Sequence, residues 1–129
     1  MTSKKRILVI DDESSVRETI CENLKECGYT VLEAGDGDSG LKVLGGENRP
    51  QLVITDLIMP KKEGLETIVE IKKRYPDVRI IAISGGGRTK TMDFLEMAKN
   101  LGVDAVVPKP LDMDDFERIV AAVASRIPS

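Results

Sequence analysis

The stretch "LVITDLIMP", residues 52–60, places one carboxylate directly after an apolar run. Leu52, Val53 and Ile54 have the pattern of a strand that is buried on both faces, because no polar residue alternates with them. Asp56 then stands where that strand is expected to end. A charge so close to a core is costly to desolvate unless something compensates it. This stretch therefore predicts a central strand and a carboxylate that has a chemical task.

Five short apolar runs rich in Val and Ile alternate with amphipathic stretches along the chain of 129 residues. Such runs are typical of parallel strands that helices cover on both faces. The predicted strands are "RILVI" (6–10), "YTVLEA" (29–34), "QLVIT" (51–55), "VRIIAIS" (78–84) and "DAVVP" (104–108).

Apolar residues at helical spacing predict five helices between and after these runs. Their stripes are Val16 to Cys27, 38–44, Leu65 to Tyr75, Phe94 to Leu101 and Met113 to Ile127. Gly28 and Gly102 stand where left-handed C-terminal caps are expected. Strict alternation predicts a doubly wound α/β fold with a five-stranded parallel sheet flanked by five helices. We expect one domain over residues 1–129, structured from about residue 5 to about residue 127.

The composition excludes several classes of protein. A net charge of −3 does not favour bulk nucleic-acid binding. No apolar stretch approaches the roughly 20 residues that a membrane-spanning helix needs. The opening "MTSKKRILVIDDE" has only four apolar residues before three acids, so a signal peptide is not expected and the predicted location is the cytoplasm.

Histidine is absent from the sequence, which excludes a Ser-His-Asp triad, a Cys-His pair and a histidine phosphocarrier. Cys21 and Cys27 are the two cysteines and lie in one predicted helix. Six helical residues rise about 9 Å, which exceeds the limit of about 7 Å for the Cα atoms of a disulfide. We therefore expect both thiols to be free.

Ligands of open α/β sheets bind beyond the carboxyl ends of the strands. The second predicted strand ends in Ala34 and Gly35 and contributes no polar group there. The polar side chains that follow the other four strands are those of Asp11, Asp12, Glu13, Asp56, Ser84 and Lys109. The three aspartates, one hydroxyl and one amine of this set are thus predicted to meet at one edge of the sheet.

Carboxylates that lie this close repel one another unless a cation joins them. A hard divalent ion with oxygen ligands, Mg²⁺ in the first place, suits such a site. Asp56 is the best-placed nucleophile and could attack phosphorus to become an acyl phosphate. Mg²⁺ and Lys109 would stabilise charge on the transferring oxygens, and the Ser84 hydroxyl could donate a hydrogen bond to the phosphoryl group.

Four motifs, "ILVIDDE", "VITDLIMPKKEG", "IIAISG" and "VPKP", stand in order along the chain. Together they closely resemble the receiver domain of bacterial two-component response regulators, over essentially the whole sequence. The resemblance implies a flavodoxin-like sheet with strand order 2-1-3-4-5. It also implies a phosphorelay protein that catalyses only its own phosphorylation and dephosphorylation.

The resemblance assigns a role to each site residue. Asp56 is the phosphoacceptor, Ser84 the switch hydroxyl and Lys109 the lysine that pairs with the phosphoryl group. The Lys109–Pro110 peptide bond is expected to be cis. The implied Mg²⁺ ligands are Asp12 and Asp56 directly, Asp11 largely through water, and the carbonyl of Ile58.

The implied partners are a sensor histidine kinase or histidine phosphotransfer protein that supplies the phosphoryl group, and a downstream protein that responds to it. Because no DNA-binding domain follows, we expect a stand-alone receiver that contacts neither nucleic acid nor membrane directly. The family usually has Tyr or Phe at the position of Val106. The conformational response is therefore expected mainly in the loop "SGGGRTK" (84–90) and the helix that follows.

Two other functions share part of this sequence pattern. A haloacid-dehalogenase-type phosphatase also uses an aspartyl nucleophile after a strand, but it needs a second acid where Ile58 stands. A degenerate receiver-fold binding module that is not phosphorylated is the alternative, although the complete set of polar residues opposes it. Asp11 and Asp12, taken alone, could also be helix-capping acids.

Overall fold

The computed structural model describes residues 5–57, 64–84, 96 and 99–128, with only the backbone described for Ser84. Strands and helices alternate through most of this part of the chain. They are β1 (Arg6–Ile10), α1 (Ser14–Glu26), β2 (Thr30–Ala34), α2 (Gly37–Leu44), β3 (Leu52–Asp56), α3 (Gly64–Arg74), β4 (Arg79–Ser84), β5 (Ala105–Pro108) and α4 (Met113–Ala124).

The five strands form one parallel sheet in the order β2-β1-β3-β4-β5, which confirms the predicted doubly wound architecture. The register pairs Asp56 with Ile83 and Ser84 with Pro108, so the ends of β3, β4 and β5 are level. Parallel strands with level ends bring the residues that follow them to one edge of the sheet.

The strand bounds agree with the predicted runs to within one residue at each end. Of the five predicted helices, the last corresponds to α4. Of the stretch predicted as the fourth helix, Glu96, Lys99 and Asn100 are helical, and the remainder lies largely outside the described residues. The expectation that every strand is covered on both faces is wrong for β2, where Thr30 and Glu33 are exposed because β2 is an edge strand.

Two apolar clusters fill the space between the sheet and the helices, one on each face. One cluster joins side chains of β1, β3 and β4 to α1 and α4, with Phe116 fully buried within it. The other joins the opposite face of the same strands to α2 and α3, through Leu44, Ile68 and Ile71. Alternate residues of each strand serve opposite clusters, which explains the unbroken apolar runs in the sequence.

Gly28 and Gly102 have φ values of +97° and +84°, which confirms the predicted left-handed positions after α1 and before β5. Cys21 and Cys27 are both free thiols, as expected. Among the described residues, no helix combines the length and the apolar character that a membrane span requires.

Candidate functional site

Three carboxylates converge at the carboxyl edge of the sheet. Asp11 and Asp12 follow β1, and Asp56 is the last residue of β3, the neighbouring strand. One oxygen from each of the three side chains lies within 4.8 Å of the others. The topology therefore brings together the acids that the sequence predicted to meet.

Asp56 is buried, with 4% of its surface exposed, and Lys109 is its cationic partner. The Lys109 ammonium donates a hydrogen bond of 2.7 Å from Nζ to Asp56 Oδ2. The same Nζ lies 3.8 Å from Asp11 Oδ2. Lys109 follows β5, so one ammonium joins carboxylates carried by two other strands.

Asp11 is 1% exposed, and its polar groups are held from several sides. Its Oδ1 accepts a 2.9 Å hydrogen bond from the Glu13 amide, and its own amide donates to the Ala34 carbonyl at 3.2 Å. Asp11 Oδ2 is buried without a hydrogen-bond partner among the described residues. A buried carboxylate oxygen without a donor, next to two further carboxylates, fits a site for a hard cation.

The pKa values show the electrostatic cost of this cluster. Burial raises the pKa of Asp11, and the charges of Asp56 and Asp12 raise it further, against the opposing effects of the Glu13 amide and Lys109. Burial alone would lower the pKa of Lys109. The hydrogen bond and charge of Asp56, with the charges of Asp11 and Glu13, outweigh burial and raise it. One ammonium thus faces an excess of negative charge, which a divalent cation would balance.

The capping interpretation of the two first acids is wrong. The N-cap of α1 is Glu13, and its side chain makes no capping hydrogen bond. Asp12 is exposed, whereas Asp11 turns inward to the cluster. The pair therefore lies in the turn that precedes the helix, where Asp11 Oδ1 accepts from the Glu13 amide and one oxygen of each carboxylate lies in the cluster with Asp56.

Gly64, the first residue of α3, approaches the backbone of Asp56 very closely. A Cβ atom at Gly64 would lie 2.1 Å from the Asp56 carbonyl oxygen and 2.6 Å from the Leu57 Cα. The Gly64 amide donates a 3.1 Å hydrogen bond to the Leu57 carbonyl. The glycine that closes the motif "VITDLIMPKKEG" therefore lets α3 begin directly against the residue that carries the candidate nucleophile.

Glu33 of β2 supports the site through Arg17 of α1, and the sequence analysis missed both residues. Arg17 of α1 donates from Nη1 to the Asp11 carbonyl at 2.5 Å and pairs through Nε with Glu33 of β2 at 3.1 Å. The sequence signal was present, since Arg17 is a basic residue in the first turn of α1 and lies close in sequence to the acidic turn. Its partner on β2 became apparent only from the fold.

The structure gives the positions of three further features predicted from the sequence. The Lys109–Pro110 bond is cis, as the resemblance implied. Val106 is half-buried against the cluster formed with α2 and α3. Ser84 ends β4, at the same edge as Asp56. The carbonyl of Ile58 and the loop and helix start at 85–95, where the conformational response was predicted, lie outside the described residues.

Comparisons with known proteins agree with this fold. The family described as "Response regulator receiver domain" matches residues 7–121. A solved response regulator receiver domain protein from Clostridium thermocellum is 32% identical, with a TM-score of 0.86 and 95% of each chain covered. The "Transcriptional regulatory protein PdtaR" of Mycobacterium tuberculosis is 33% identical over 95% of this chain and 58% of its own length.

A further relative is the "Probable transcriptional regulator ycf27" of Galdieria sulphuraria, which is 38% identical over 96% of this chain and 47% of its own length. The chain belongs to the response regulator receiver domain family of two-component systems. It spans about half the length of the curated relatives it matches. The single-domain, stand-alone organisation accordingly stays a prediction.

Proposed function

We propose that this protein is a phosphoacceptor in a two-component phosphorelay, with Asp56 as the residue that is phosphorylated. The observation that carries the proposal is the position of Asp56: buried at the end of β3, 2.7 Å from the Lys109 ammonium and beside Asp11 and Asp12. A carboxylate in such a cluster combines a nucleophilic oxygen with a charge environment suited to phosphoryl transfer.

The donor would be a phosphohistidine on a sensor histidine kinase or a histidine phosphotransfer protein. A carboxylate oxygen of Asp56 attacks phosphorus, the phosphorus–nitrogen bond breaks, and its electron pair returns to the imidazole nitrogen of the donor, which takes up a proton from solvent. The signal ends by hydrolysis, in which water attacks phosphorus and releases inorganic phosphate and the free carboxylate. The chain thereby catalyses only its own phosphorylation and dephosphorylation. The 129 residues contain no histidine, which suits a phosphohistidine donor that lies outside them.

Each remaining site residue has a part in this chemistry. Lys109 moves from the carboxylate of Asp56 to the oxygens of the new phosphoryl group, where its charge is still needed. The Ser84 hydroxyl donates to the same group. Asp11, Asp12 and Asp56, with the carbonyl of Ile58, would hold Mg²⁺, whose charge stabilises the transferring oxygens when it is bound.

A groove beside the site supports access by the donor protein. It lies between α1 and the segment after β5, and Lys109 is among its lining residues. Its lining is largely apolar and includes Val16, Leu111 and Met113. An amphipathic helix of the kinase or phosphotransfer protein would fill this groove and bring its phosphohistidine to Asp56. The phosphorylated protein would act in the cytoplasm by binding a downstream protein.

The test is incubation of the intact chain with Mg²⁺ and a small acyl phosphate donor, followed by intact-mass measurement. Wild-type protein should gain the mass of one phosphoryl group, which hydroxylamine should remove because it cleaves acyl phosphates. Asp56→Asn keeps the shape of the side chain but lacks the nucleophile and should gain nothing, and omission of Mg²⁺ should have the same effect.

Two results would count against the proposal. Wild-type levels of hydroxylamine-sensitive phosphate on Asp56→Asn would place the acceptor elsewhere. A wild-type protein that remains unmodified by both the small donor and a panel of phosphorylated kinases would favour the degenerate binding module instead.

A further inference from the structure

We propose that Arg17 is a positioning residue for the metal-binding carboxylates, held in place by Glu33 of β2. This inference rests on the proposed function, since it assigns a support to the cation site that phosphoryl transfer needs. It gives the edge strand β2 a part in a site to which it contributes no ligand.

Arg17 makes hydrogen bonds to the residues on both sides of Asp12 in the acidic turn. Its Nη1 donates to the carbonyl of Asp11 at 2.5 Å, and its backbone amide donates to the carbonyl of Glu13 at 2.9 Å. Asp12, the exposed member of the acidic cluster, lies between these two anchored residues. The amide bond to Glu13 is the first i→i−4 bond of α1 and does not depend on the side chain, so the restraint particular to arginine is the guanidinium bond to the Asp11 carbonyl, next to a predicted direct ligand.

The guanidinium is itself fixed from the opposite side. Its Nε pairs with Glu33 Oε1 at 3.1 Å, and the Arg17 side chain is only 19% exposed. Because the planar guanidinium presents its donors in a fixed fork, binding Glu33 with one nitrogen orients the other toward Asp11. A lysine at this position could satisfy one partner but not both in the same geometry.

This arrangement is better suited to positioning than to overall stability. Glu33 is 41% exposed in its side chain, and ion pairs at such sites contribute little to the free energy of unfolding. By contrast, removing a group that orients a metal ligand through a hydrogen bond commonly weakens metal affinity by about 10-fold or more. The Asp11 amide already donates to Ala34, so the Arg17 bond completes the restraint of that residue's backbone.

The experiment compares four variants of the intact chain by Mg²⁺ titration, thermal unfolding without metal, and amide hydrogen exchange without metal. Arg17→Gln should weaken Mg²⁺ binding about 10-fold and speed exchange at Asp12 and Glu13. The Mg²⁺ affinity of Arg17→Lys should lie between those of Arg17→Gln and wild type. Glu33→Gln should weaken Mg²⁺ binding by a smaller factor than Arg17→Gln does. Arg74→Gln removes an ion pair of similar length, 3.0 Å to Glu70, far from the site, and should bind Mg²⁺ as wild type does.

The outcomes separate this inference from the function on which it rests. Wild-type Mg²⁺ affinity in Arg17→Gln, with normal binding by wild type, overturns the role of Arg17 alone. Absence of Mg²⁺ binding by the wild-type protein overturns the metal centre and this inference with it. If Arg17→Gln does not fold, Glu33→Gln provides the test, because it removes the charge that holds the guanidinium toward Asp11 while leaving Arg17 itself in place. Unchanged affinity and exchange in that variant would then refute the proposal.

Discussion

Lys109 donates a 2.7 Å hydrogen bond from its ammonium to Asp56 Oδ2, joining the ends of two strands that are not adjacent in the sheet. The pair is largely shielded from solvent, with 24% of the Lys109 side chain and 6% of the Asp56 side chain exposed. Asp56 is therefore compensated by Lys109 in the metal-free protein. Competition among the carboxylates for positive charge is the physical basis of the first and third predictions below.

The first prediction concerns the coupling between these two residues. Lys109→Gln should destabilise the metal-free protein because it removes the ammonium that pairs with the buried carboxylates, and Asp56→Asn should largely remove that penalty. A double-mutant cycle by chemical denaturation should give a coupling free energy of about 0.5–3 kcal/mol. Because the pKa of Lys109 is raised, this coupling should persist at neutral pH and disappear only above the ordinary lysine value. Additive effects at pH 7 would contradict it.

The second prediction separates the two acids after β1. Asp12→Ala should weaken Mg²⁺ binding more than Asp11→Ala, since the family resemblance makes Asp12 a direct ligand and Asp11 a ligand through water. Binding should be weak in the wild type as well, because few protein ligands are offered and several waters remain on the ion. Calorimetric titration of both variants measures the difference. Equal losses would refute the division of roles.

The third prediction is a pH dependence that arises from Asp11. A carboxyl group whose pKa is raised on folding binds protons more tightly when folded, so stability falls as pH rises above the ordinary value of 3.8. Asp11→Asn removes this effect and should stabilise the metal-free protein by about 1 kcal/mol at pH 7. The gain should vanish toward pH 4 and in excess Mg²⁺.

Denaturation curves in a chelator between pH 4 and pH 8 test this third prediction. Asp77→Asn, which changes an exposed aspartate away from the cluster, is the matched control and should show no such trend. A pH-independent effect of Asp11→Asn would show that burial of the charged Asp11 and its repulsion by the neighbouring carboxylates are not the cause.

The fourth prediction concerns the close approach of α3 to β3. Gly64→Ala places a Cβ 2.1 Å from the Asp56 carbonyl oxygen, so the backbone at Asp56 must shift. We expect a loss of about 1–3 kcal/mol in stability together with slower phosphorylation by a small donor. Gly45→Ala is the control, because its Cβ would meet nothing closer than 3.4 Å. Normal phosphorylation kinetics in Gly64→Ala would show that this contact does not position the nucleophile.

The fifth prediction distinguishes the two cysteines. Burial raises the pKa of Cys21 to about 11, and 2% of the residue is exposed, so its thiolate is scarce and inaccessible at neutral pH. Cys27 is exposed. An alkylating reagent at pH 8 should therefore modify Cys27 first and Cys21 only on unfolding, which peptide mapping can follow. Equal labelling rates in the native protein would contradict the packing of α1.

Much of the site could be predicted because its residues follow apolar runs. Once those runs are recognised as parallel strands, the level strand ends bring Asp11, Asp12, Asp56 and Lys109 together. The absence of histidine and the mild net charge also excluded competing chemistries, because composition can be read without knowing which residues are in contact. Thus the sheet, its parallel direction and the acidic cluster all followed from local pattern.

The tertiary structure alone decided how these residues are supported. Arg17 and Glu33 are 16 positions apart and meet because β2 pairs beside β1 at the sheet edge. Asp11 and Asp12 are adjacent in sequence, yet one is buried and the other exposed, because successive residues of a turn point in different directions. Local patterns carry strand and helix periodicity, but burial and side-chain partners depend on which elements pack together, and that is a property of the whole fold.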